Sequence, residues 1–354
     1  MTERRSFART YLLLALLLGA AVVASAALGA FRFTPAEMVR YLGDAFGLGT
    51  AHPADALARN VFLKLRLPRV IVAGLTGAVL GVSGTLMQGL FRNPIVEPGL
   101  AGTSAGAAFG AAMVFVLGER TTLAFTQPLG TLAVPLVAFI GAFAATMLVY
   151  RASTAFGKVN VFTLLLAGIA VNAVCTAGTG FLSYIARDPQ ARNITFWNLG
   201  TFTTATWRGT IVIAVVFVAC FAALLRHGKS LNALMLGEDE AASLGIDPAR
   251  LILRLIVINT AMVAVDTAMV GVIAFIGLVV PHILRMLWSS DYRFLIPASA
   301  LAGAFLMEVI DVIARYVISP AELPIGIITA VIGAPVFLWI LLRQQRTSAV
   351  AIDG

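Results

Sequence analysis

Apolar runs of about twenty residues, each followed by brief polar punctuation, repeat along almost the whole chain. At about one crossing per twenty residues, they predict spans near 10–31, 70–90, 99–118, 129–150, 160–185, 209–226, 251–270, 272–287, 295–317 and 325–342. The stretch 251–287 is nearly unbroken, too long for one helix and tight for two, and Gly271 is its predicted break. Against this background the acidic segment LGEDEAASLGID at 236–247 stands out. It cannot lie in lipid. After Gly237 and Glu238, Asp239 and Glu240 open a short predicted helix, Ala241 and Ala242 keep it slim, and Gly245, after Leu244, ends it. A slim, capped helix suits a groove on a partner; the plainer alternative is a solvated loop with one helical turn.

Composition narrows the class. The mean hydropathy is +0.94, and 12% of residues are charged, about half the share of a soluble globule. The fold class is therefore an all-α polytopic membrane protein, with one transmembrane domain over 1–354 and a polar element at 227–250 within it. The first run follows Arg4, Arg5 and Arg9 and ends in small residues, as a signal peptide does. Its apolar core exceeds the ~7–15 residues of an h-region, which favours a retained span. An even number of spans puts both termini on one side, and arginines before the first span and after the last favour the cytoplasm. The net charge of +8 then reflects loops against anionic lipid headgroups, not nucleic acid. Lys and Arg are shared almost evenly between the two sides. Arg32, Arg40, Arg59, Lys64, Arg66 and Arg69 crowd one outer loop, which calls for a reason other than topology.

Candidate chemistry is sparse. Cys175 and Cys220 lie in apolar runs, and His52, His227 and His282 are scattered, so neither a disulfide framework nor a metal centre is expected. RHGKS at 226–230 carries Ala223 where a phosphate-binding loop needs glycine, and FGKV at 156–159 lacks the hydroxyl. Any ATP and Mg used for transport would be bound by a separate chain. Gly74, Gly77, Gly81 and Gly84, like Gly102, Gly106 and Gly110, fall at three- and four-residue steps and predict close helix packing. Glu308, Asp311 and Arg315 share one helical face, with Asp311 one turn before Arg315, the favourable order for an ion pair. Carboxylates within spans, Asp266 included, keep a proton-coupled carrier open as the rival mechanism. A membrane enzyme lacks any constellation of acid, base and nucleophile.

Several blocks resemble, in order, those of the FecCD family of ABC-importer permeases, which carry ferric siderophores, haem and cobalamin: RLPR at 66–69, QGLFRNPIVEPGLAGTSAGA at 88–107, the acidic segment, GVIAFIGLVVPHILRM at 271–286, DVIAR at 311–315 and AELPIGIITAVIGAPVFLWILLR at 321–343. The resemblance implies a type II importer fold of ten spans per subunit and a homodimer with the path at its two-fold axis. It also implies two cytoplasmic ATPase subunits, a periplasmic binding protein and a place in the bacterial inner membrane. On this resemblance 236–247 is the ATPase-coupling element, although its Gly245 comes one residue earlier than in the EAA loop of other importers. Arg66, Arg69 and Arg315 are expected to meet glutamates of the binding protein, since a guanidinium fork engages a carboxylate through two hydrogen bonds at once. The resemblance also places Met87 and Gln88 of the second span, and Asn172 and Thr176 of the fifth, beside the path. A cytoplasmic gate is expected in the loops bearing Asn93, Pro94, Pro98 and Gly99, and Arg151 and Asn160.

For cargo, YIARDPQARNITFWNLGTF at 184–202 resembles the haem-type permeases more than the siderophore or cobalamin branches. Tyr184, Arg187 and Arg192 form a candidate entrance, where guanidiniums would meet porphyrin propionates. A siderophore, or less favourably cobalamin, stays open as cargo.

Overall fold

The computed structural model describes residues 2–29, 31–48, 55–94, 96–120, 130–155, 158–159, 161–318 and 321–350. Lipid offers backbone groups no hydrogen bonds, so the spans satisfy their own as helices. The ten expected spans correspond to α1 (Thr2–Ala27), α4 (Leu67–Leu90), α5 (Thr103–Arg120), α6 (Ala133–Ser153), α7 (Val161–Ile185), α9 (Trp207–Leu225), α12 (Pro248–Val270), α13 (Ile276–Leu287), α14 (Tyr292–Tyr316) and α15 (Ile325–Val350). Seven of the described helices are long and apolar enough to cross a membrane, and the apolar segments Thr103–Gly118, Ile276–Leu287 and Ile325–Trp339 are shorter. Outside the spans lie α2 (Pro35–Ala45), α3 (Ala56–Val61), α8 (Gln190–Asn198), α10 (Gly228–Leu236) and α11 (Glu238–Ser243). A two-residue antiparallel pair, with Thr154 opposite Val159, joins α6 to α7. Helix α2 starts at a capping box: Thr34 Oγ1 accepts from the Glu37 N–H, the Glu37 carboxylate accepts from the Thr34 N–H at 2.8 Å, and Pro35 supplies the first turn.

Helix α4 is the central pillar, buried on nearly every side. Its glycine stripe lies against α14 and α13. A Cβ at Gly77 would strike the Gly303 carbonyl, one at Gly81 the Ser299 carbonyl and one at Gly84 that of Gly277, so the backbones touch where side chains are missing. Gly106 and Gly110 pack on α6 in the same way, through Gly141 and Val137. Gly102 departs from the expected stripe, because it precedes α5 as the left-handed end of the turn Pro98–Ala101. Buried polar pairs reinforce the pillar: Thr76 to Asp266 at 2.7 Å, Ser83 to Asn259 at 2.6 Å and Thr85 to Ser299 at 2.7 Å. Thr76 is thus the partner of Asp266 that the sequence left unnamed.

The predicted break at Gly271 is present, at φ 82°, and α12 stops at Val270. Residues 271–275 then run without helical structure between apolar helices, buried or half-buried throughout. Bare backbone at membrane depth persists only inside protein. Here the Thr201 N–H donates to the Val270 carbonyl at 2.8 Å, and the Phe275 N–H donates to the Glu97 carboxylate at 2.7 Å.

Candidate functional site

The acidic segment folds as α11. Gly245, at φ 79°, closes it: its N–H donates to the Ala242 carbonyl and that of Ile246 to the Ala241 carbonyl, the paired bonds of a glycine C-cap. Gly237, at φ 150°, links α10 to α11 through a backbone conformation that side chains rarely adopt. Ala241 is the buried anchor, whereas Asp239, Glu240, Ala242, Leu244 and Gly245 are exposed beside the exposed Met235 and Leu236. The result is a short acidic helix rimmed by apolar side chains. Glu238 turns back to Arg92, at the end of α4, at 3.4 Å.

Helix α10 connects this element to α14. The Asn232 side-chain amide donates to Asp291 Oδ1 at 2.7 Å while its Oδ1 accepts from the Tyr292 N–H at 2.9 Å. Asp291 is the N-cap of α14 and also accepts from the Arg293 N–H at 2.8 Å. Burial opposes its ionisation, but hydrogen bonds from Arg293 and Asn232 outweigh that and hold the carboxyl below the usual aspartate range. A bond from the Tyr11 hydroxyl to the Phe294 carbonyl at 3.4 Å sets the first turns of α1 at this same end.

At the opposite end of α14 the expected docking arginines converge. Arg69 donates to Asp311 Oδ1 at 2.8 Å and to Glu322 at 2.7 Å. Arg315 pairs with Asp311 Oδ2 at 2.9 Å and donates to Ser25 Oγ at 2.8 Å and to the Leu28 carbonyl at 2.7 Å. Arg66 reaches the Leu28 carbonyl at 2.5 Å and that of Phe31 at 3.3 Å. The three guanidiniums of the expected site thus have different surroundings. Arg315, 7% exposed, is an internal strut and cannot present its guanidinium to a docking partner in this conformation. Arg66 caps the segment that follows α1 through those two carbonyls, and Arg69 is a surface-adjacent cation already paired with the exposed Glu322.

Met87 and Gln88, the expected path residues of the second span, are enclosed within the subunit. Each is 1% exposed, because α4 is the pillar and not a wall. Gln88 donates to the Gly277 and Leu278 carbonyls at 3.3 Å and accepts from Arg285. In contrast, α7 is largely uncovered: Thr176 is exposed, and Asn172 donates to the Gly99 carbonyl at 3.1 Å. The fifth span and the loop after α4 are thus tied directly. In that loop Asn93 bonds through its N–H to the Gln88 carbonyl, Pro94 is half-buried and Pro98 opens the turn before α5. Arg151 is exposed at the end of α6, and Asn160 lies outside the described residues. Tyr184 is 87% exposed at the end of α7, followed by exposed Arg187 and Arg192. Among the described residues no group of three or more His, Cys, Asp or Glu could hold a metal ion. Sequence reasoning missed the Asn232–Asp291 and Glu97–Phe275 contacts. An Asp before a predicted span was a legible N-cap signal, but Asn232 and Glu97 carried none.

The profile of the FecCD transport family matches residues 15–343. The hemin transport system permease HmuU of Yersinia pestis is 42% identical over 289 residues, covering 81% of this chain and 84% of the relative. The vitamin B12 import system permease BtuC of Klebsiella pneumoniae is 41% identical over 286 residues, covering 80% and 82%. Among solved structures, one described as an inward-facing conformation of a metal-chelate type ABC transporter superposes with a TM-score of 0.81 at 31% identity, covering 95% of this chain and 99% of the other.

Proposed function

This chain belongs to the FecCD transport family and is the permease subunit of a metal-chelate type ABC importer, and from that premise we propose that its cargo is haem. The carrying observation is the outer end of α7, where exposed Tyr184 is followed by exposed Arg187 and Arg192. Propionates stay ionised at neutral pH and suit guanidinium forks. The similarity to a hemin permease supports the same reading. Cobalamin is the second reading, favoured by the near-equal similarity to a vitamin B12 permease; a ferric siderophore is the third.

In this proposal two copies of the chain meet across the uncovered faces of α7 and α15. Two cytoplasmic ATPase subunits, which bind the ATP and Mg, dock on α11 and its apolar rim, and a periplasmic binding protein docks near Arg69. The α11 end and both termini face the cytoplasm of a bacterial inner membrane. Force applied at α11 enters α14 through Asn232 and reaches Asp311 and Arg315 along a single helix. The test is reconstitution into proteoliposomes with the ATPase and the loaded binding protein. ATP-dependent accumulation of haem, in preference to cobalamin or a ferric siderophore, is expected. Uptake by the chain alone under a pH gradient overturns the ATP-driven reading, and equal uptake of cobalamin overturns the cargo.

A further inference from the structure

Two stretches of non-helical backbone meet inside the bundle, and one carboxylate joins them. The first is the loop after α4. It turns back toward the interior, where Val96 and Ala101 are buried, and its turn Pro98–Ala101 is fixed by Pro98 at the start and by Gly102, at φ 86°, at the end. That turn rests on the middle of α7: Asn172 donates to the Gly99 carbonyl at 3.1 Å, and a Cβ at Gly168 would strike the Leu100 carbonyl. The second stretch is 271–275, which precedes α13. Twelve residues give α13 a length of about 18 Å, against about 30 Å of hydrocarbon, so its start lies within the bundle.

Phe275, the last residue of that stretch, has φ 70°, a left-handed conformation unfavourable for a bulky side chain. Glu97 holds it there. The Glu97 carboxylate accepts from the Phe275 N–H at 2.7 Å, a charge-assisted bond at a helix N-terminus, where the backbone dipoles favour an anion. Phe275 in turn bears on α15, because a Cβ at Gly333 would strike the base of its ring. Glu97 and Gly99 belong to the same short turn. A continuous series of contacts therefore crosses the subunit from Asn172 of α7, through Gly99, Glu97 and Phe275, to Gly333 of α15.

We propose that Glu97 is a positioning residue for transport: it locks the turn beside α7 to the start of α13, so that α7 and α15 shift together when the path opens. This rests on the permease reading above, in which those two helices meet a second copy. Without the bond, Phe275 relaxes from its left-handed state and the two helices move independently. The test compares Glu97→Ala with Glu97→Gln, whose amide oxygen can still accept from the Phe275 N–H. In the purified full-length chain, hydrogen exchange at Phe275 should quicken by about tenfold or more in Glu97→Ala, the scale of a charged hydrogen bond. Cys175 reads the far end of the tie, since it lies on α7 one turn from Asn172 and is half-buried. Cys220→Ser makes it the sole thiol of the chain, and N-ethylmaleimide should label it severalfold faster in Glu97→Ala. In proteoliposomes with the ATPase and the loaded binding protein, uptake should fall about tenfold with the ATPase still bound. Glu97→Gln should recover most of all three. Faster exchange with unchanged labelling makes Glu97 a local cap and overturns the proposal, as does a Glu97→Gln variant no better than Glu97→Ala. Absence of ATP-driven uptake by the wild type is instead a failure of the permease reading, and exchange and labelling then decide the tie. If Glu97→Ala does not purify, Glu97→Asp, shorter by one methylene, is judged by the same criteria.

Discussion

Arg69 and Asp311 are 242 positions apart in the chain and meet at 2.8 Å at the end of the bundle opposite α11. Asp311 uses its other oxygen for Arg315, so one fully buried carboxylate joins α4 to α14 and, through Ser25 and Leu28, to the end of α1. In such an arrangement the cost of removal exceeds the benefit of assembly, because the arginines stay behind.

Replacing Asp311 with Asn should therefore destabilise the purified chain by about 3–5 kcal/mol, the usual cost of orphaning a buried charge. Replacing Asp311 and Arg69 together by Leu and Met should recover part of that loss. Thermal unfolding in matched detergent compares the variants; additive losses would show that the two residues do not act as a pair.

The glycine contacts make a second prediction. Gly77 and Gly303 face one another's carbonyls with no space for a Cβ, whereas Gly19 has nothing within 4 Å. Gly77→Val and Gly303→Val should each cost at least about 1–3 kcal/mol through overpacking and lower the yield of monodisperse protein. Gly19→Ala should leave both unchanged. Size-exclusion profiles and unfolding midpoints read the difference.

What was legible from sequence follows the range of the interaction. Spans, the break at Gly271, the caps of α11 and the pairing of Asp311 with Arg315 arise from neighbours within a few positions, and periodicity or turn chemistry records them. The burial of α4 was not legible, because a glycine stripe states that a helix packs closely but not on how many sides. The contact of Glu97 with Phe275 spans 178 positions and leaves no periodic trace. Arg66, Arg69 and Arg315 do gather at one end of the bundle, yet their contacts with Ser25, Leu28 and Glu322 follow from no local pattern.

Docking offers a third test. Arg69 already holds Glu322, so a carboxylate on a binding protein must compete with it. Glu322→Gln should tighten capture of the loaded binding protein by up to about fivefold at low salt, since a partly exposed pair is worth about 0–1 kcal/mol, and the gain should shrink as screening rises. Arg69→Glu should weaken capture in the same assay. Unchanged binding for both variants at both ionic strengths would remove Arg69 from the interface.

The last prediction concerns Asn232, whose side chain supplies two of the bonds that join α10 to the start of α14. Asn232→Ala leaves the exposed face of α11 intact, so the ATPase should still co-purify, while Glu240→Arg, on that face, should reduce co-purification. ATP-driven uptake by Asn232→Ala should fall about tenfold, as expected if ~1.4 kcal/mol of coupling is lost. Because Asp291 is held below its ordinary value, its contribution is fully present above the unfolded aspartate value of about 3.9 and is lost only as pH falls through the lower folded value. The junction should therefore show no pH dependence from this group between about pH 5 and 8, and hydrogen exchange at the start of α14 should rise only in stronger acid. Asp291→Asn should abolish that acid response. Loss of uptake together with loss of ATPase binding in Asn232→Ala would instead make α10 part of the docking surface, and α14 would no longer be the element that carries the motion.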